Sequence, residues 1–182
     1  MKRILVLVAI LGLVAAAGFA QTATDNHTVT ITIATIAAME LENGVNINFS
    51  TVAPVLPGDP VGPPVGTPQT GADRLYYTAL NAGLTRHITV ETDVAIPAGT
   101  RLNVVPAVNA GAGTAVGTIL FSNAGATAPT DLVTAIGSVA TGRVSGTSGT
   151  GLTYNFWVFD ASALVAGVTV VTVTYTLTDD IY

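Results

Sequence analysis

His27-Thr28-Val29-Thr30-Ile31-Thr32-Ile33 is the stretch whose reading decides the fold. Val29, Ile31 and Ile33 alternate with threonines, and a period of two places the apolar set on one face of a strand and the hydroxyls on the other. The pattern slips at Ala34-Thr35-Ile36 and resumes through Met39 and Leu41, which reads as a bulge or a crossing between sheets. Beyond it the segments are short, rich in β-branched residues and separated by Gly, Pro, Asn and Asp, with almost no helical period. Strands are predicted at 45–49 (Val45, Ile47 and Phe49 inward), 74–80, 87–92, 101–108, 117–121, 131–139, 153–159 and 168–178. Turns fall at Ile96-Pro97-Ala98-Gly99 and Asn123-Ala124-Gly125, with one helical turn near 160–164. Roughly nine strands in a chain of this length predict an all-β fold, a two-sheet Greek-key or jelly-roll sandwich.

The N-terminus sets the compartment. Met1-Lys2-Arg3 precedes an unbroken apolar run, Ile4 to Ala17, and then Gly18-Phe19-Ala20-Gln21. A short cationic start, an apolar segment and small residues at 18 and 20 make residues 1–20 a secretory signal peptide, cleaved near Ala20-Gln21. As an uncleaved anchor the run falls short of the ~20 residues that span a bilayer, and no positive flank follows it. The expectation is an extracellular or cell-surface protein that meets the membrane only during export, with residues 21–182 as a single β-sandwich domain. Inside it, residues 27–41 form a candidate donor strand. Residues 53–73, with Pro54, Pro57, Pro60, Pro63, Pro64 and Pro68 among glycines, form a loop that cannot supply ladder donors.

Without the signal, Arg74, Arg86, Arg101 and Arg143 are the only cations against 11 acidic residues, a formal balance of about −7. Such a surface repels phosphate backbones, which excludes nucleic acid as a partner. The chain has no Cys, so an exported fold is held without disulfides, and Lys2 is its only lysine. Charged residues make up 9% of the sequence, against ~25% in an ordinary domain. Charge is what normally keeps strand edges apart. A threonine-rich surface therefore points to packing against copies of itself or to carrying glycans.

The chemistry-bearing residues are sparse. His27 and His87 have no serine and carboxylate arranged with them as a triad, and no cofactor or metal is expected from two histidines and no cysteine. Glu40 and Glu42 share a face of an extended segment and mark an exposed edge. Asp131, Asp160 and Asp179-Asp180 lack the alternating spacing of a calcium loop. Enzymatic activity is not expected. Tyr154, Phe156 and Val158 face one way along their strand, and Asn155, Trp157 and Phe159 the other. Tyr154 and Trp157 are candidates for an exposed aromatic contact surface, against the alternative of a central strand packed on both faces. Asn26-His27-Thr28 and Asn48-Phe49-Ser50 match the N-glycosylation pattern, which makes Asn26 and Asn48 candidate acceptors.

The last stretch, Val168-Thr-Val-Val-Thr-Val-Thr-Tyr-Thr-Leu-Thr-Asp-Asp180 behind Gly167, resembles the closing strand of spore-coat-U-type and chaperone–usher pilin domains. Tyr175-Thr176-Leu177-Thr178-Asp179 is also similar to the end of the WxL cell-surface domain, with Tyr where that family has Trp. The cysteine pair usual in usher pilins is missing here. The resemblance implies a pilus-like, fibre-forming subunit in which an N-terminal extension, here Val29, Ile31 and Ile33, fills a groove in a neighbouring copy. The function expected is a secreted structural subunit that self-assembles into an extracellular filament or surface layer. The alternative is a monomeric cell-wall or carbohydrate-binding module.

Overall fold

In the computed structural model, residues 28–43, 47–64 and 66–180 are described. They belong to two compact units, Met1–Ile33 and Ala34–Tyr182. Of the first unit, Thr28 to Ile33 are exposed and have no regular secondary structure. The second carries ten strands among its described residues: β1 (Ile36–Leu41), β2 (Gln69–Leu80), β3 (Arg86–Thr92), β4 (Thr100–Ala107), β5 (Thr114–Ala115), β6 (Ile119–Leu120), β7 (Thr130–Ile136), β8 (Val139–Ala140), β9 (Thr150–Val158) and β10 (Val173–Asp179). One sheet has the order β1-β2-β9-β4-β6, with β8 also on β2; the other has the order β10-β3-β7-β5. Every pairing between these strands is antiparallel. From β2 to β8 the chain changes sheet at each strand, so the all-β, two-sheet sandwich read from the sequence is the fold.

The period-two pattern explains the core. Ile88 and Val90 of β3, Val104 of β4 and Leu152 of β9 point between the sheets and are essentially excluded from water, each worth ~1.5–3 kcal/mol. On β7 two consecutive residues, Leu132 and Val133, are both buried. The β3–β7 register shifts on either side of Ile88, and this irregularity lets neighbouring side chains of one strand enter the same core. Tyr77 brings a hydroxyl inside, where it donates to the Ala112 carbonyl and lies 3.1 Å from Thr150 Oγ1.

Several boundaries differ from expectation: the strands expected at 117–121, 131–139 and 153–159 are found at 119–120, at 130–136 with 139–140, and at 150–158. Residues 36–41 of the candidate donor strand are β1, paired within the same chain from Ile36↔Leu80 to Leu41↔Leu75. Of the segment expected at 45–49, Val45 lies outside the described residues. Ile47 to Phe49 is not a strand, yet Ile47 and Phe49 pack on the core and Phe49 stacks on Phe156, ring centroids 5.4 Å apart. Gly71 leaves the room for this: a Cβ there would sit 2.3 Å from Ile47 Cγ2. The Pro-rich loop ends sooner, because β2 starts at Gln69, and it is tied down by a Val52↔Gly62 bridge and by Val158 N–H donating to Pro63 O at 2.7 Å. The closing strand begins at Val173 rather than 168. The helical turn is a 3₁₀ turn, Ala161–Ala163, capped by the Asp160 side chain.

Candidate functional site

The two sheets do not meet evenly along their edges. Among the described residues, β1 and β10 are each paired on one side only, to β2 and β3, and their inward residues stop short of full burial. Met39 and Leu41 of β1, and Val173, Tyr175 and Leu177 of β10, are half-buried although they pack on the core. Between the strands lies an open groove of about 270 Å³, with Leu75 at its floor, Met39 and Leu41 on one wall and Val173 and Tyr175 on the other.

The seam is closed at its other end. Arg86, buried at the start of β3, donates from Nε to Asp179 Oδ1 of β10 at 2.5 Å and from Nη1 to the Ile36 carbonyl of β1 at 2.6 Å. The residues around it add to the weld. Asp180 accepts from the Thr85 hydroxyl and its Oδ1 lies 2.5 Å from His87 Nδ1. The Thr85 hydroxyl, then the His87 ring, hold the Asp180 carboxyl below the usual carboxylate range. Arg86 joins Ile36 to Asp179, and Leu41 and Val173 line the groove together, so β1 and β10 run in opposite directions along the seam.

Among the described residues, Glu40 is the one charged side chain that lines the groove. Tyr175 touches the Tyr154 hydroxyl with its own; burial, then the Tyr154 hydroxyl and the Asp73 charge, raise it far above a free phenol, so it stays neutral. Glu40 at the rim is exposed and paired with Arg143 at 2.7 Å. A strand edge on each side, apolar walls and no cation inside suit an uncharged extended chain rather than an anion or a sugar.

The sequence-derived residues fall as follows. Val29, Ile31 and Ile33 are 68%, 79% and 75% exposed. Asn26 and His27 lie outside the described residues, and Asn48 is exposed. Tyr154 is a correction: it belongs to the inward face of a central strand, between β2 and β4, and is buried, so it contributes nothing to an exposed platform. Trp157 is half-buried on the opposite face with its indole N–H enclosed and unpartnered. Phe159, the exposed ring there, is covered by the Arg101 guanidinium 4.8 Å from its centroid. Among the described residues no three His, Cys, Asp or Glu side chains converge as metal ligands. Sequence reasoning missed the clamp, although Arg86 and Asp179-Asp180 were visible as rare charges in a charge-poor chain. It also missed the groove, which is a gap between residues that each look like ordinary strand positions. No protein-family model, curated protein or solved structure matches the chain.

Proposed function

We propose that this chain is an exported structural subunit that assembles with copies of itself by β-strand addition. Residues 28–33 of one copy enter the seam between β1 and β10 of another, with Val29, Ile31 and Ile33 facing the core. One observation carries the reading: a chain that leaves an apolar groove between two open strand edges also carries an exposed, uncharged segment of the alternation such a groove accepts. Main-chain hydrogen bonds to the edges would supply affinity, and alternate side chains in the groove would supply register.

Electron microscopy of the purified exported chain tests the assembly, and Ile31→Asp tests its mechanism. The side chain is exposed in the free subunit, so the variant should fold normally by circular dichroism. In the seam it would place an uncompensated charge among apolar groups, at a cost of several kcal/mol, and filaments should not form. A folded Ile31→Asp protein that still polymerises would eliminate strand donation. A wild-type chain that stays monodisperse at high concentration, with residues 21–35 resisting protease, would eliminate the filament.

A further inference from the structure

We infer that His27 of one copy pairs with the buried Asp73 carboxylate at the end of another copy's groove, which sets the direction of insertion and makes assembly respond to pH near neutrality. The inference rests on the strand donation proposed above and names the residue pair that orients it.

Three observations carry it. First, Asp73 is a buried charge without a counter-charge. It is 6% exposed, the one carboxylate buried among the described residues. Its Oδ1 accepts the Arg74 N–H at 2.7 Å and meets the Asn43 backbone N–H and side-chain amide at 3.3 and 3.4 Å. Among the described residues no cation lies within ion-pair distance of it, and a buried carboxylate without one is costly. The Tyr154 and Tyr175 hydroxyls face it from β9 and β10, and burial keeps both neutral. Along the β1 edge, Glu40 is paired with Arg143 and Glu42 accepts the Gly146 N–H. Second, Asp73 stands where an inserted strand would pass. The β1–β2 ladder runs from Ile36↔Leu80 beside Arg86 to Leu41↔Leu75 at the groove floor. Asp73 is two residues past Leu75 on the same face of β2, at the end away from the clamp. Third, the other cations are committed. Arg86 holds Asp179, His87 meets Asp180, Arg143 holds Glu40, Arg101 covers Phe159, and Arg74 donates from Nε to the Ser148 carbonyl. In residues 21–182 the remaining side chain that can carry positive charge is His27.

The period of two fixes how the pair meets. His27 continues the set Val29, Ile31 and Ile33, so a strand that turns these into the groove turns His27 the same way. When the donor runs antiparallel to β1 with Val29 level with Leu41, His27 falls level with Asn43, whose amides already reach Asp73. The opposite direction would bring His27 to the clamp, beside Arg86 and His87, where both carboxylates are engaged. Charge complementarity therefore selects the direction antiparallel to β1 and parallel to β10. An imidazole titrates at ~6.5 when free, and a facing carboxylate raises that value. A raised value strengthens assembly below the free one, and the gain is lost as pH rises through the raised one.

The test measures the critical concentration for filaments of the exported chain at about pH 5.5 and about pH 8, either side of the imidazole range. Wild type should assemble at the lower concentration in the more acid buffer, by about tenfold for each unit that pairing raises the imidazole. His27→Gln should still form filaments but lose that difference, and His27→Arg should assemble equally well at both values. Asp73→Asn keeps an oxygen for the Asn43 and Arg74 donors, so it should fold and behave as His27→Gln does. The double variant should lose no more than either single one, the mark of a direct pair. A His27→Gln protein with the pH response of wild type overturns the inference and leaves strand donation standing. So does a His27→Gln change that shifts the urea midpoint of non-assembling Ile31→Asp subunits, because the pair would then form within one chain. If Ile31→Asp still polymerises, or wild type stays monodisperse, strand donation fails and this pairing fails with it.

Discussion

Replacing Arg86 measures how firmly the closed end of the seam is held. Its side chain is 6% exposed and joins three strands: its own β3, Asp179 of β10 and the Ile36 carbonyl of β1. A hydrogen bond from a charged donor to a carbonyl contributes ~1.5–3 kcal/mol. Asp179 is 61% exposed, so that ion pair is screened and adds at most about 1 kcal/mol. Burying the methylene stem adds about 2 kcal/mol at ~0.8 per CH₂. Against these stands the cost of desolvating the guanidinium, a few kcal/mol that is returned when the head is removed. The net expectation is about 3 kcal/mol lost in Arg86→Ala and about 1 kcal/mol in Arg86→Met, which keeps the stem. Arg86→Lys should fall between them, because an ammonium cannot serve both oxygens from one planar fork. Urea unfolding at neutral pH gives the free energies. A thermal scan should put Arg86→Ala about 6–12 °C below wild type for a domain of this size. An Arg86→Ala protein within about 0.5 kcal/mol of wild type would refute the clamp, and an Arg86→Met protein as unstable as Arg86→Ala would refute the partition between stem and head.

Acid should loosen the same corner: the Asp180 carboxyl is held below its ordinary range by the Thr85 hydroxyl and the His87 ring. A depressed folded pKa contributes stability above the unfolded value, ~3.9, and loses it as pH falls through the folded one. Urea midpoints should therefore drop below about pH 4, and Asp180→Asn should flatten that slope; an unchanged slope would count against the contact. The Pro-rich loop should tolerate replacement of residues 54–60 by Gly/Ser with no change in β content by circular dichroism, since the Val52↔Gly62 bridge closes its base. Deleting 63–64 as well should destabilise the sandwich by about 1–3 kcal/mol in urea, because the Val158 N–H loses its acceptor.

The fold class was legible because the apolar period survives wherever a strand has one buried face. β3 and β4 fall within a residue of where alternation places them. Errors arise where a strand-like pattern and a ladder part company. Ile47 and Phe49 alternate and half-bury their side chains, yet among the described residues no neighbouring backbone pairs with them, so pattern alone names a strand that hydrogen bonding does not make. Val170 to Thr172 continues the alternation of β10 but lies beyond the end of β3, the strand with which β10 pairs. The reverse happened at Gln69 to Asp73, where Pro68 and Gly71 suggested loop, while β9 pairs with all of these residues. The same limit hid the candidate site. Tyr154 and Tyr175 are both aromatic strand residues, and only the order of strands shows that one lies mid-sheet and the other beside an open edge.

Magnitudes show what strand addition would have to contribute. Burying Val29, Ile31 and Ile33 supplies ~1.5–3 kcal/mol each, roughly 5–9 kcal/mol in all, before ordering six exposed residues at ~1–2 kcal/mol apiece. Association carries a further cost of ~4–15 kcal/mol. The donated side chains alone therefore do not hold two copies together. The balance has to come from the receiving side, where Met39, Leu41, Val173 and Tyr175 are half-covered and, among the described residues, the outer edges of β1 and β10 have no partner strand. An inserted strand would complete the burial of those walls while satisfying backbone groups on both edges, so the acceptor contributes as well as the donor. This makes the incompleteness of the seam the energetic source of assembly under the strand-addition reading. A chain whose β1 and β10 closed on each other would have a more complete core and no reason to polymerise through this site.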